Sequence, residues 1–170
     1  MNVEMHLVRA KHEWAYIVAD EMTGVFLAHG SFGCFAHTWP PQHRREPLLQ
    51  FLGRLDCDYF MKKTRNGKHM VFHMDETVKA LKQKVIDARR QGNCQKQEAR
   101  HAWNAIEDTA EDFADESGFL NALYRDPDIE AALGCDDFWE WSRHCLAPDC
   151  KGFWEVIWPE FLKKIAQVPA

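Results

Sequence analysis

Along the first 40 residues, large apolar side chains recur at every second position, which is the period of β-strands. Four segments show this alternation, at about residues 2–7, 14–19, 25–29 and 34–39. The connections between them are too short for a crossover, so an antiparallel meander is expected. Trp14, Tyr16, Phe35 and Trp39 are expected to be buried, and a meander alone cannot bury such large side chains, so helices are expected to cover one of its faces.

After Pro40 and Pro41 the apolar positions follow the period of helices. A first amphipathic helix is predicted from Pro47 to about Lys63, and the apolar run at 69–73 is a candidate for a fifth, edge strand. Further helices are predicted at 75–91, 95–117, 119–125, 128–133 and 137–144. A last helical segment, at 151–167, contains Pro159, which should kink it or start a new helix.

These elements predict an α+β fold, in which an N-terminal four- or five-stranded antiparallel sheet packs against a mostly helical C-terminal half. A chain of 170 residues fits one domain, with the sheet and one helix in residues 1–74 and the helical part in residues 75–170. Signal peptides and membrane spans need apolar runs longer than any in this sequence. A cytoplasmic protein without membrane contact is therefore expected.

The net charge of −5 conceals an asymmetry along the chain. Residues 1–104 carry 16 Lys and Arg against 11 Asp and Glu, whereas residues 105–170 carry 5 against 15, which gives +5 and −10. Carboxylates concentrate on one face of the predicted helix 95–117, opposite its apolar side. These are Glu107, Asp108, Glu111, Asp112 and Asp115. The face is either a solvated surface that keeps the protein soluble or a site for a basic partner.

A second candidate surface lies at the corner between the fourth strand and the first helix. It combines aromatic and basic side chains, which suit a groove that stacks bases and contacts phosphates. The residues are His37, Trp39, Arg44, Arg45 and Tyr59. Core packing of the aromatic residues and a solvated basic face explain the same pattern, so this groove is the alternative to the acidic face.

Metal and catalytic chemistry have little support in the sequence. The segment from His144 to Cys150, with Cys135 nearby, raises the question of zinc, but the C-x2-C pairs typical of structural zinc are absent. His69 and His73 share a face, yet two ligands do not make a site. Because phosphate-binding glycine loops and nucleophile elbows are also absent, no metal, cofactor or catalytic residue is assigned. The six cysteines are expected to be free thiols.

Several segments carry a family resemblance: residues 29–64 including FLGRLDCDYFMKK, then HMVFHMDETVKALKQ, and GFWEVIWPEFLKKI near the C-terminus. They resemble a family of uncharacterised proteins encoded by bacteriophages and prophages. The resemblance implies a small accessory protein that binds a host protein or ribonucleoprotein complex, as anti-CRISPR proteins do. Phage nucleic-acid binding and a small enzyme are the alternatives. The acidic face favours the first role and the basic corner favours the second.

Overall fold

The computed structural model describes residues 3–134 and 137–166. Its first four strands pair in sequence order as an antiparallel meander. They are β1 (Val3–Ala10), β2 (Glu13–Asp20), β3 (Val25–Gly30) and β4 (Gly33–Thr38). The register places Leu7 opposite Tyr16, Tyr16 opposite His29, and His29 opposite Cys34. The predicted meander is confirmed.

The helices account for most of the remaining described chain. They are α1 (Leu48–Leu52), α2 (Cys57–Thr64), α3 (Met74–Gln91), α4 (Lys96–Asp112), α5 (Glu116–Leu123), α6 (Pro127–Leu133), α7 (Pro148–Gly152) and α8 (Trp158–Ala166). Short 3-10 turns occupy Pro41–His43 and Phe138–Trp141. The α+β fold class predicted from the sequence is confirmed.

The candidate fifth strand exists, but it does not extend the meander. Strand β5 (Met70–Phe72) pairs instead with β6 (His144–Leu146) in a separate two-stranded sheet. The helix expected at 137–144 is only a 3-10 turn over Phe138–Trp141, and its expected last residue, His144, begins β6. A three-residue apolar run can pair with any available edge, so its partner is not a local property of the sequence.

The chain divides into two compact units. Unit 1 consists of Met1–Met70 and Leu146–Ala170, and unit 2 consists of Val71–Cys145. Unit 1 therefore contains the meander together with α1, α2, α7 and α8, whereas unit 2 contains α3 to α6. The single-domain organisation expected from the sequence stays a prediction.

In unit 1, helices cover one face of the meander. This inner face combines the small side chains of Ala15 and Ala28 with the rings of Phe26 and Phe35. Aromatic rings from the helices pack on it, and the Phe35 and Phe153 rings are stacked with centroids 4.2 Å apart. As expected, Phe35 and Trp39 are buried.

The expected burial of Trp14 and Tyr16 is wrong. Their side chains are 39% and 46% exposed, because β2 turns Ala15, Ile17 and Ala19 toward the helices instead. Both alternating sets of β2 are apolar, so periodicity alone does not decide which one is buried. The small alanines leave room on the inner face for the helical aromatic rings, and the large residues of β2 therefore lie outside.

Two predicted helices are interrupted where an aspartate starts a new one. The helix expected from Pro47 to Lys63 breaks after Leu52, and the Asp56 carboxylate accepts a hydrogen bond from the Tyr59 amide, which caps α2. The long helix expected to reach Ser117 ends at Asp112. Each aspartate satisfies amides that would otherwise lack partners at a helix N-terminus.

The C-terminal helix accommodates Pro159 through a π-helical turn over Phe153–Ile157 between α7 and α8. Proline has no amide hydrogen, and its ring clashes with the carbonyl four residues earlier in an α-helix. A wider turn relieves that conflict, and the Trp158 amide bonds to the Phe153 carbonyl five residues back. Phe153, Ile157 and Phe161 are all buried in unit 1.

Unit 2 is a helical assembly with its own core. Leu81, Val85, Ile106, Phe119 and Ile129 are among its buried apolar side chains. The α4 helix packs against α3, α5 and α6, which fixes the direction of its exposed side. Across the described residues, every helix is too short or too polar to cross a membrane.

Candidate functional site

The predicted acidic face lies on the last two turns of α4, in unit 2. Glu107, Asp108, Glu111 and Asp112 are all exposed there. Asp115 is separate from them, because it lies beyond the end of α4 and its carboxylate accepts a hydrogen bond from the Gly118 amide at 2.8 Å. Four of the five predicted residues thus share one helix end, and the fifth caps α5.

One of these four carboxylates has a cationic partner. Glu107 forms a salt bridge with Lys82 of α3, whose ammonium also lies 4.6 Å from the centroid of the Trp103 ring. Within residues 3–134 and 137–166, no cationic group lies at ion-pairing distance from Asp108, Glu111 or Asp112. The end of α4 therefore presents a concentrated negative charge.

The position of these carboxylates on the helix is unfavourable. The last turn of α4 contains no basic residue, while it carries Glu111 and Asp112. The C-terminus of a helix is the negative end of its dipole, and a negative side chain there costs about 0.3–1 kcal/mol. Glu107 and Glu111 are also four residues apart, where like charges repel by a few tenths of a kcal/mol.

The basic aromatic corner of unit 1 is mostly built into the fold. Trp39 is buried, and its ring lies edge-to-face with the half-buried ring of His37, with centroids 4.7 Å apart. Arg44 is also buried and bonds to backbone and carboxylate oxygens of its own unit. Arg45 and Tyr59 remain exposed. The structure thus places three of these five residues in packing roles and two on the surface.

Sequence reasoning missed a histidine–cysteine pair on the open face of the meander. His29 Nδ1 lies 2.9 Å from Cys34 Sγ, because these residues are opposite each other in the register of β3 and β4. The nearer histidine in sequence, His37, points to the other face. The sequence did contain a signal for this pair, because a short turn between two strands places the residues on either side of it opposite each other. Among the described residues no carboxylate bonds to His29, and nucleophilic sites normally orient their base in this way.

The segment considered for zinc has other contacts. In unit 2, His144 Nε2 lies 3.1 Å from a carboxylate oxygen of Glu116. In unit 1, Asp149 accepts a hydrogen bond from Arg65 at 2.6 Å, and burial, with Asp149 beside it, raises the pKa of the Cys150 thiol to about 11. Cys135 lies outside the described residues, and among those described no group of three His, Cys, Asp or Glu side chains is placed to hold a metal ion.

The fold and these surfaces define an α+β protein with a meander sheet unit and a helical unit in which the end of α4 is strongly acidic. A family model described as a phage family matches residues 2–167, which is nearly the whole chain. The chain therefore belongs to this phage protein family, and the resemblance to phage-encoded proteins is confirmed. No curated protein and no solved structure gives a significant match.

Proposed function

We propose that this phage protein is a non-enzymatic binding protein, which attaches to a basic surface of a host protein or ribonucleoprotein complex through the acidic end of α4. The specific target proposed is a nucleic-acid-targeting defence complex of the host. Such a complex must offer a cationic groove to nucleic acid, and a concentrated set of carboxylates complements that groove. Inhibition then follows from occupation of the groove.

The single observation that carries this proposal is the set of uncompensated carboxylates Asp108, Glu111 and Asp112 at the negative end of α4. Their placement lowers the stability of the helix through the dipole and through mutual repulsion. Lysine or arginine at these exposed positions would be more favourable for the isolated protein. Residues that are kept at a cost to stability are characteristic of binding surfaces.

The carboxylates of α4 also suit rapid and specific association. Exposed charges steer an oppositely charged partner during approach, so they raise the association rate more than they slow dissociation. This contribution depends on salt, because the screening length falls to about 8 Å at physiological ionic strength. Binding through this surface is therefore expected to weaken as salt rises.

The test replaces Asp108, Glu111 and Asp112 together with Asn, Gln and Asn. Glu107 and Asp115 stay unchanged, because the first pairs with Lys82 and the second caps α5. The matched control neutralises three exposed carboxylates elsewhere, at Asp75, Glu140 and Glu155. Each variant is produced in hosts that carry defined defence systems, and phage survival is scored. The complex that copurifies with the unmodified protein is then used for affinity measurements at several salt concentrations.

The expected result is that the α4 variant folds, binds at least about tenfold more weakly and shows a flatter dependence on salt. The control variant should keep its affinity and its protection of the phage. Equal affinity and equal salt dependence for the α4 variant would show that the acidic end of α4 is not the binding surface. If the unmodified protein protects against none of the defence systems and binds none of their complexes, the proposed target class is wrong.

A further inference from the structure

The face of the meander that the helices leave uncovered is strongly apolar. Six large apolar side chains on it are exposed: Val3, Met5, Trp14, Tyr16, Val25 and Leu27. Met5 is 69% exposed and Leu27 is 42% exposed, although both lie within regular strands. A contiguous apolar surface of this kind on a folded protein usually marks an interaction site.

The register of the sheet arranges this outer face in rows across the four strands. One central row contains Met5, Val18, Leu27 and Ala36, and the next contains Leu7, Tyr16, His29 and Cys34. Neither row contains Lys, Arg, Asp or Glu. With strand and residue spacings of about 4.8 and 3.3 Å, the face measures about 15 by 20 Å between its outermost residues.

The composition of the face fits a protein partner better than nucleic acid. Platforms for single-stranded nucleic acid combine aromatic side chains with cations that follow the phosphates. Here Trp14 and Tyr16 form an edge-to-face pair with centroids 5.6 Å apart, but the row of Met5, Val18, Leu27 and Ala36 beside them is uncharged. Protein interfaces, in contrast, are enriched in Trp, Tyr and Met and are depleted of charge at their centre.

The charges at the two ends of the face are complementary to each other. In the β1–β2 register, Arg9 lies opposite Trp14 at one end of the face, whereas Asp20 lies opposite Val3 at the other end. Arg9 lies six positions after Val3 along β1, so the ends are about 20 Å apart and cannot pair within one chain. A second copy that runs in the opposite direction would bring each arginine near the other copy's aspartate.

We propose that this outer sheet face is the interface of a homodimer, in which two meanders pack face to face with their strands reversed. The two-fold axis lies between the sheets and perpendicular to the strands, so the Met5 row of each copy packs on the Tyr16 row of the other. Aligned sheets pack about 10 Å apart, a distance that the Arg9 and Asp20 side chains of opposite copies span together with the hydrogen bond between them. This dimer is independent of the acidic end of α4.

The experiment measures the mass of the full chain by sedimentation equilibrium between about 1 and 100 µM, a range that covers micromolar dimers. The unmodified protein is expected to dimerise within this range. Leu27→Lys should raise the dissociation constant at least about 100-fold, because it buries two cations between the sheets. Met70→Lys changes an exposed apolar residue outside this face and is the control, for which no change is expected.

A second pair of variants tests the orientation of the two copies. Arg9→Glu should raise the dissociation constant about tenfold, since at both ends of the interface it places one carboxylate against Asp20 of the other copy. Adding Asp20→Asn should restore much of the affinity, because it removes the like charge. The turn is kept, since asparagine can still accept from the Met22 amide and can donate to the Thr23 hydroxyl, which in the unmodified protein donates to the Asp20 carboxylate. Arg45→Glu has the same change in charge on an exposed arginine outside the face and should have no effect.

A monomer at every concentration would overturn the homodimer. A dimer that Leu27→Lys leaves intact would also overturn it, and an unchanged affinity in Arg9→Glu would reject the reversed arrangement. A labelled single-stranded oligonucleotide completes the test. If the protein stays monomeric and binds this probe, and Trp14→Ala abolishes the binding while preserving the fold, the face is a nucleic-acid platform and the homodimer is wrong.

Discussion

Arg44 donates a hydrogen bond from its guanidinium to the carboxylate of Glu21 at 3.0 Å, and only 2% of the arginine side chain is exposed. The same guanidinium donates to the carbonyl of Trp39 at 2.9 Å and to the carbonyl of Glu21 at 3.1 Å. The Glu21 carboxylate in turn accepts from the Leu48 amide. One ion pair, buried on its arginine side, thus joins the β2–β3 turn, the residue after β4 and the start of α1.

This arrangement predicts that Arg44→Lys lowers the free energy of unfolding by about 2–3 kcal/mol. A lysine ammonium cannot donate in the planar, forked geometry that the Trp39 and Glu21 oxygens require, so some of these acceptors lose their partner. Arg45→Lys, at the exposed neighbouring position, should change stability by less than about 0.5 kcal/mol. Urea unfolding of both variants checks this expectation, and equal stabilities would contradict it.

A substitution at Gly24 is predicted to lower the stability of the protein by a larger amount. Its φ of +74° lies in the left-handed region, and a Cβ atom there would be 1.8 Å from the carbonyl oxygen of Trp39. Gly67 has a similar φ of +78°, but a Cβ at that position would meet nothing within 4 Å. Gly67→Ala should therefore cost only the backbone strain of about 1–2 kcal/mol. Gly24→Ala should cost at least about 2 kcal/mol more, because the β2–β3 turn must move away from Trp39.

Thermal unfolding of the two alanine variants, with unfolding followed by circular dichroism, measures this difference. Equal melting temperatures would mean that the close approach between Gly24 and the Trp39 carbonyl does not exist in solution.

The pH dependence of stability has a predicted contribution from His37. Burial, and then the positive charge of Lys63, lower the pKa of this histidine in the folded protein. In the unfolded chain the pKa is about 6.5, so on acidification the unfolded state takes up a proton before the folded state does. The free energy of unfolding should thus fall as pH decreases from 7.5 through 6.5, and this contribution levels off below the folded pKa.

His37→Gln should remove this part of the pH dependence, since glutamine does not titrate. The measurement is urea unfolding of both proteins at pH 7.5 and 5.5. His43→Gln is the control, because His43 is exposed in the same corner. If the unmodified protein and His37→Gln lose the same free energy of unfolding on acidification, His37 does not contribute to the pH dependence of stability.

Local signals explain why much of the fold was predictable. Alternation of apolar residues and short turns located the meander, and a stop at Gly92, whose φ is +79°, located the end of α3. Which side of β2 is buried was not predictable, since Trp14 and Tyr16 compete with Ala15 and Ile17 for the same interior. That choice depends on the aromatic rings that distant helices supply.

The candidate sites show the same division between local and long-range information. The carboxylates at the end of α4 share a face because of helical periodicity, and the sequence displays this directly. Trp39 and Arg44 resembled a surface groove, because Glu21, which accepts from the Arg44 guanidinium, lies 23 residues before Arg44 in the chain. Asp115 continued the acidic pattern in sequence, but its carboxylate is engaged by the Gly118 amide at the start of the next helix.

Thr77 gives the last prediction, which concerns unit 2. Its side chain is fully buried, and its hydroxyl donates to the carbonyl of His73 and accepts from the amide of Arg143, both at 2.9 Å. Thr77→Val keeps the shape of the side chain but leaves the Arg143 amide without this acceptor. A fully buried donor without a partner costs about 1–3 kcal/mol, and this hydrogen bond is partly buried, so a loss of about 1–2 kcal/mol in unfolding free energy is expected.

Thr64→Val is the matched control, because the buried Thr64 hydroxyl donates to the carbonyl of Phe60 and accepts no hydrogen bond from any described residue. Removing this hydroxyl leaves no amide without an acceptor, and the expected loss of unfolding free energy is below about 1 kcal/mol. Urea unfolding compares the two variants, and hydrogen exchange should show faster exchange of the Arg143 amide in Thr77→Val alone. Equal losses and unchanged exchange at Arg143 would show that the hydroxyl of Thr77 does not hold this amide, because the shape of the side chain is the same in both variants.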